Sequence, residues 1–438
     1  MMTSKRKNIL VLGAGRVSLT LLEHLYGLGH RLTVADADLE QAQQRLAQLG
    51  GEGEAVQILL TATTTPASLA PFLHEADLVV NLLPPQFDEL VIQACIEGGV
   101  SVVSASYVTP EIQAMEPAMV EAGIIYLAEM GLDPGIDHLL AVKMITATHV
   151  AGGQIDKFAS YCGGLPAPEA ADNPLQYKFT WSPRGVVQAT CRPARYRQEG
   201  VDTEFEAEVL YGKPPTITLA GYDIPFEIYP NRDSVPYIQR YDVPEVKHFI
   251  RGTLRYDGWG SLWNGLRQLG WLDKTMQVDK LPTTAVEIGA VLDRPTSDPL
   301  VQGLAWIFAD VVLPESQVIA PVDLLTDILP QKEALNFRSG EEDVVVMLNE
   351  LIYHMPASGE AYRWTITMDA RGVPNGGNSA MAQTTGYTAA IGAELLAEGV
   401  INGRGIVVPT SLALADLVLP KLAEKGITFN ETKELIKE

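Results

Sequence analysis

The chain has 438 residues, 47% of them hydrophobic and 20% charged, which implies more than one folded domain and excludes a disordered or low-complexity protein. Asp plus Glu number 54 against 32 Lys plus Arg, and the net charge of −22 argues against nucleic acid or an anionic membrane as a partner. With three cysteines and no CxxC pair, no apolar run of membrane-spanning length and no signal-peptide pattern after Lys5-Arg6-Lys7, the sequence predicts a reduced, cytoplasmic protein.

Asn8 to Leu12 is a short apolar run that reads as a strand, and Gly13-Ala14-Gly15-Arg16-Val17-Ser18 follows it. Leu19, Leu22, Leu25 and Leu28 then recur at helical spacing up to Gly29. Further strands are expected at 31–35, 56–60, 78–82, 100–103 and 124–127, separated by helices at 41–49, 67–74, 88–97 and 110–122. This alternation predicts an α/β fold with a parallel sheet covered on both faces. Gly13 and Gly15 permit a tight turn and a close backbone approach to a pyrophosphate at a helix N-terminus, with Ser18 replacing the usual third glycine. Asp36 ends the second strand about 20 residues further on, where a carboxylate accepts from the ribose hydroxyls of NAD and repels a 2′-phosphate. Its alternative role is that of a turn residue before Asp38. Two more strand ends, Asn81-Leu82-Leu83-Pro84-Pro85 and Ser104-Ala105-Ser106-Tyr107, point at the same crevice. Strand-breaking prolines and a turn-capping serine would look the same.

Gly131-Leu132-Asp133-Pro134-Gly135-Ile136-Asp137-His138 comes next. Asp133 then Pro134 reads as N-cap and first residue of a helix running to about Thr148. Such a start offers free amides to a carboxylate while Asp133 holds an ammonium, the two charges of an amino-acid head group. His138 is suited to proton transfer near neutrality, although a lone helical histidine is more often packed or solvated. The run from Tyr161-Cys162-Gly163-Gly164-Leu165-Pro166 to Thr180-Trp181-Ser182 shows no clear period. It is rich in Gly, Pro and Asn yet carries Tyr161, Tyr177, Phe179 and Trp181, so it reads as a loop shaped by what it must contact.

Long stretches of the chain resemble L-glutamate-forming saccharopine dehydrogenases. They are Ser106-Tyr107-Val108, residues 129–138, residues 161–185, Tyr229-Pro230-Asn231-Arg232-Asp233-Ser234, Ile250-Arg251-Gly252-Thr253-Leu254-Arg255-Tyr256, Gly376-Gly377-Asn378-Ser379-Ala380-Met381-Ala382 and Gly386-Tyr387. The resemblance implies a Rossmann domain at 1–132, an inserted α+β substrate and dimerisation domain at 133–376, and a segment at 377–438 that returns to the Rossmann domain. In that last segment a helix at 388–396 and a strand at 406–408 are expected. The resemblance also implies a homodimer and the oxidation of saccharopine, a substrate with several carboxylates, to glutamate and 2-aminoadipate 6-semialdehyde.

By the same resemblance, Ser106, Tyr107, Asp133, Arg232, Thr253, Leu254 and Arg255 face the substrate. Gly13, Ala14, Gly15, Arg16, Val17, Asp36, Asn81, Leu83, Ser106, Leu132 and Trp181 face the cofactor. Tyr107, Asp133 and Cys162 are the candidates for proton transfer, with His138 behind them. Arg251 and Arg255 also fit a strand face turned to water, Arg232 a turn, and Cys162 a small buried residue. Members of the family that use NADP carry an arginine where Ala37 stands, so NAD is expected here, with NADP as the alternative. Thr61 stands where an Asp is common in the family. A polyamine-type imine such as carboxynorspermidine would require acids in place of Arg232 and Arg255, and a non-catalytic dinucleotide-binding protein would be expected to have lost these motifs. The seven histidines are scattered without metal-ligand spacing, so no metal is expected.

Overall fold

The computed structural model describes residues 6–50, 53–61, 63–212, 214–275, 281–311, 319–374 and 377–437. The chain forms two compact units, Met1–Ala147 with Asn378–Phe429, and Thr148–Gly377 with Asn430–Glu438. The break expected at 132/133 lies inside the first unit, and Gly376, at the other expected break, lies outside the described residues. The segment expected to return whole to the Rossmann domain is divided, since 430–438 joins the second unit.

In the first unit, β1 (Asn8–Leu12), β2 (Arg31–Asp36), β3 (Gly53–Gln57), β4 (Leu78–Asn81), β5 (Val102–Ser104) and β6 (Ile125–Leu127) form a parallel sheet, which a strand at Gly405–Val407 extends. Its order is β3-β2-β1-β4-β5-β6 and then Gly405–Val407. The chain reverses direction across the sheet between β1 and β4, and in such sheets ligands lie outside the carboxyl ends at that switch point. Leu10, Leu12, Val79, Val91, Val102 and Tyr126 pack one buried core. The third strand begins earlier than the apolar run at 56–60 suggests, because its pairing follows β2 from Leu32↔Gly53 to Asp36↔Gln57. The expected helix at 67–74 divides into a 3₁₀ turn, Pro66–Ser68, and a short helix, Ala70–Leu73, with Pro66 and Pro71 near their starts. The expected helix at 110–122 likewise divides, at Met115, ahead of Pro117. The helix expected at 388–396 is longer, Ala380–Ala397, capped by the Ser379 side chain on the Ala382 amide. Gly386 lets it close on the first helix, Ser18–Gly27, since a Cβ there would lie 2.8 Å from the Val17 carbonyl oxygen.

In the second unit a mixed sheet is built around β7 (Gln154–Pro166), with β8 (Ala194–Gln198), β9 (Val201–Phe205), β10 (Thr216–Ile217), β11 (Phe226–Pro230), β12 (His248–Tyr256), β13 (Asp343–His354), β14 (Ala361–Arg371) and β16 (Asn430–Ile436), the Gly405–Val407 strand of the first unit being β15. β12 runs parallel to β7, while β13 is antiparallel to it along nearly its whole length. The first part of the Cys162 run is therefore a central strand and not a loop. Its alternation is missing because both faces are buried from Phe158 onward, apart from a half-buried Tyr161. Gly163 is where strands close tightly, since a Cβ there would sit 2.8 Å from the Leu254 carbonyl oxygen. Leu165, Leu254, Phe226, Trp259, Trp263 and Leu304 belong to the large core of this unit.

Candidate functional site

The carboxyl ends of β1, β2 and β4 form the crevice of the first unit. Gly13 has φ +101°, a left-handed conformation that favours glycine, and its amide donates to the Ala35 carbonyl at 2.8 Å. A Cβ on Gly13 would lie 3.1 Å from the backbone of Leu82, whereas above Gly15 nothing lies within 4 Å. Open space over Gly15 beside the start of helix Ser18–Gly27 fits a pyrophosphate. The Ser18 hydroxyl donates to the Gly15 carbonyl at 2.8 Å and closes the turn that carries Ala14, Arg16 and Val17. Asp36 is half-buried, and its carboxylate accepts from the Ala14 amide at 2.6 Å and the Asp38 amide at 2.9 Å. It thus ties the glycine turn to the end of β2, at the edge where an adenosine ribose would sit.

Two further strand ends are joined by a carboxylate that the sequence did not single out. Buried Asp88 accepts from the Asn81 side chain at 2.8 Å and also hydrogen-bonds the side chain of Ser106. Burial pushes its carboxyl up to about 7 against those hydrogen bonds. Asn81 in turn accepts from the Leu83 amide at 3.2 Å. The Tyr107 hydroxyl donates to Asp133 at 2.8 Å, so both half-exposed candidates stand together in this unit, with buried Leu132 beside them.

Asp133 and Pro134 do not start the helix, which runs Ile136–Val150. Gly135 has φ +146° and folds back on Gly131, whose amide donates to the Pro134 carbonyl at 2.9 Å. The Gly135 amide is taken by the Asp137 side chain at 2.7 Å, so it is not among the free amides expected for a substrate carboxylate. His138 is fully buried and bonded to Glu129 at 2.8 Å.

In the second unit, strand register gathers residues that are distant in sequence. Thr253 of β12 pairs with Cys162 of β7 and with Tyr229 of β11, and paired residues share a face. Arg255 follows on the same face, opposite Glu227. The alternative of a strand face turned to water fails for Arg251 and Arg255, which are only 1% and 7% exposed. Arg251 lies 4.3 Å from the centre of the Tyr237 ring. Arg255 lies 5.2 Å from the ring centres of both Tyr177 and Trp259, and donates to the Leu254 carbonyl at 2.7 Å. Glu227 does not neutralise it. Its oxygens accept from the Gly258 and Gly260 amides, each at 2.9 Å, and from the Tyr229 hydroxyl. Arg255 Nε has no hydrogen-bond partner, and no carboxylate pairs with this guanidinium among the described residues. A buried cation over two adjoining aromatic rings, with no carboxylate in ion-pair contact among the described residues, suits a ligand carboxylate.

Arg232 is exposed, with φ +56° in a turn, and its carbonyl accepts from the Arg195 amide at 2.9 Å. Cys162 is buried. Trp181 is half-buried with its ring against Gly185, where a side chain would collide with the indole. Glu227, Tyr177 and Trp259 were missed as neighbours of Arg255, because only the β11–β12 register and the fold of the following chain bring them together.

The sheet order, the glycine turn and the strand-end carboxylate define a dinucleotide-binding α/β unit. Residues 9–127 match the family model of the saccharopine dehydrogenase NADP binding domain, and residues 131–427 that of the saccharopine dehydrogenase C-terminal domain. These matches make the chain an oxidoreductase with a nicotinamide dinucleotide. The chain belongs to the L-glutamate-forming saccharopine dehydrogenase family. It is 34% identical to the saccharopine dehydrogenase [NADP(+), L-glutamate-forming] of Pyricularia oryzae, over 97% of this chain and 98% of the relative. It is 33% identical to the bovine mitochondrial alpha-aminoadipic semialdehyde synthase (Bos taurus), over 99% of this chain and 48% of that longer protein. The solved structure of apo saccharopine dehydrogenase (L-Glu forming) from Saccharomyces cerevisiae superposes with a TM-score of 0.85 at 33% identity, covering 98% of this chain and 100% of the other. No described helix is long and apolar enough to cross a membrane.

Proposed function

We propose that this enzyme oxidises L-saccharopine with NAD+ to L-glutamate and L-2-aminoadipate 6-semialdehyde. The observation that carries this reading is Arg255, a buried guanidinium lying over the adjoining rings of Tyr177 and Trp259 with no described carboxylate on it. A substrate with several carboxylates supplies the missing counter-charge. Within the second unit Arg232 and Thr253 are the further candidates for substrate contact, whereas Leu254 is buried in the core; within the first unit Tyr107 and Asp133 are the candidates for proton transfer. Held by the turn from Gly13 to Val17 and by Asp36, a nicotinamide dinucleotide would supply the hydride acceptor for the carbon beside the secondary amine, and water would then release glutamate from the resulting imine. What the chain supplies is position and charge. Tyr107 and Asp133 already share a hydrogen bond that can pass a proton to or from that amine, and Cys162 serves as a small wall residue. Within the first unit, Ser106 and Leu132 are the candidates for the nicotinamide end.

The fungal relatives are named for NADP(+), and the matching domain model is called NADP-binding. We infer NAD for this chain from its own residues. The Asp36 carboxylate stands at the end of β2, and Ala37 beside it offers no cation to a 2′-phosphate. Initial rates of NADH and NADPH formation from saccharopine test both parts. The expected outcome is a kcat/KM with NAD+ at least about 10-fold above that with NADP+. Equal turnover removes the NAD preference and leaves the activity, whereas no reduction of either cofactor defeats the activity. Ala37→Arg is expected to narrow the gap by raising NADP+ use.

A further inference from the structure

We propose that Glu129, gripped by His138, is a positioning residue that holds Tyr107 in place for the reaction. Glu129 follows β6 at the carboxyl end of the sheet and is fully buried. Its φ is +59°, a left-handed conformation that a side-chain-bearing residue adopts only at a cost. Such strain persists where the surrounding contacts fix it, and here they act on one loop. The Glu129 amide donates to the Ser106 carbonyl at 3.1 Å, and its Oε1 accepts from the Val108 amide at 3.1 Å. These two contacts bracket Tyr107. The neighbouring Met130 amide donates to the Ser104 carbonyl at 3.0 Å, so the loop is stitched from its start.

Glu129 Oε2 lies 2.8 Å from Nε2 of His138, which is also fully buried. His138 Nδ1 lies 3.5 Å from Asp137, whose other oxygen takes the Gly135 amide at 2.7 Å. The buried chain Glu129–His138–Asp137 therefore joins the 104–108 loop to the 131–135 turn from beneath. Above it, at the half-exposed surface, the Tyr107 hydroxyl donates to Asp133 at 2.8 Å and joins the same two segments. Apolar side chains would fill the buried space at lower desolvation cost. A carboxylate is needed where two donors on separate segments must be held at once. Burial also separates His138 from any substrate, so its contribution passes through Glu129 and Tyr107.

This inference rests on the function proposed above, and a double-mutant cycle on saccharopine kcat/KM tests it, run with whichever cofactor supports wild-type turnover. Tyr107→Phe and Glu129→Ala are each expected to lower kcat/KM by about 10²-fold. The double variant is expected within about twofold of the more impaired single variant, because Glu129 acts through Tyr107. Glu129→Gln keeps an acceptor for the Val108 amide and a partner for His138, and should recover most of what Glu129→Ala loses. Losses that multiply in the double variant overturn the proposal. So does a Glu129→Gln variant as impaired as Glu129→Ala, which would make Glu129 a proton-transfer group. If Glu129→Ala does not fold, the cycle with His138→Gln decides on the same criterion. A wild type inactive on saccharopine with both cofactors counts against the proposed function, whereas an active wild type with multiplying losses counts against the role of Glu129.

Discussion

Gly15 and Gly163 occupy comparable places in the two units, each on or just after a strand that borders a candidate ligand surface. Their surroundings are opposite. A Cβ on Gly15 would meet nothing within 4 Å, while one on Gly163 would meet the Leu254 carbonyl oxygen at 2.8 Å and the Leu254 Cβ at 3.0 Å. At Gly15 the first unit leaves room for something not made of protein. The second uses glycine to bring two strands close enough to set side chains in register. The difference extends to the sites. The crevice of the first unit is largely main chain, with Asp36, Asp88 and Glu129 pinning loops by their amides or by neighbouring side chains. The surface of the second is side chain, a guanidinium over two adjoining aromatic rings.

The largest effect that separates the two should come from Arg255→Ala. Removing a buried, desolvated partner of a substrate carboxylate typically costs about 2–5 kcal/mol, so saccharopine kcat/KM should fall by about 10²-fold or more. The loss should lie in the substrate KM, with the cofactor KM unchanged. A matched rise in both would mean that the side-chain surface of the second unit does not serve the substrate alone. Next in size is Gly163→Ala, which forces backbone apart in a central strand and should lower unfolding free energy by about 1–3 kcal/mol in denaturant titration. Gly15→Ala makes the converse case. It should leave stability within about 0.5 kcal/mol of the wild type while weakening cofactor binding. If both glycine variants lose stability alike, the contrast between room and closure fails.

This contrast also explains what the sequence could reveal. The crevice of the first unit was legible because its parts are local. A strand, two glycines and a helix lie within a few turns, and Asp36 follows at a fixed interval. β1 begins and ends where its apolar run does. The surface around Arg255 was not legible in this way. Its neighbours arrive through pairing between β7, β11 and β12, and no local pattern encodes which strand lies beside which. The Cys162 run misled for a related reason. Alternation marks a strand only when one of its faces meets water, and from Phe158 onward both faces of β7 are largely buried. Arg255 itself is singled out in the sequence only through resemblance, since a lone arginine on a strand is ordinarily solvated. The start of helix Ile136–Val150 was misplaced because Asp-Pro is a strong helix-start signal, and the signal was overridden by the Gly131–Gly135 contact.

The units also differ in how the end of the chain is fastened, and the smallest expected effect tests this. In the second unit β16 is fastened by main-chain pairing along β14 from Ala361↔Ile436 to Thr367↔Asn430. In the first, helix Ala380–Ala397 carries Glu394, which lies 2.9 Å from His24 of the first helix and accepts from Lys421 of helix Leu412–Glu424 at 2.7 Å. Burial works against the Glu394 charge, but hydrogen bonds from His24 and Lys421 prevail and hold its carboxyl down to about 2 from the ordinary 4.5. A carboxyl depressed in the folded state stabilises it fully above the unfolded value of 4.5, and the contribution drains away as pH falls toward 2. The Glu394 side chain is 7% exposed and that of Lys421 is 34% exposed, so part of the interaction is screened and about 1–2 kcal/mol is the reasonable size. Glu394→Gln should therefore lower unfolding free energy at pH 7 by about that amount, and the gap to wild type should shrink as pH falls from about 5 to 3. A gap that is the same at both ends of this range would mean that packing along Gly386, and not charge, fastens the returning helix.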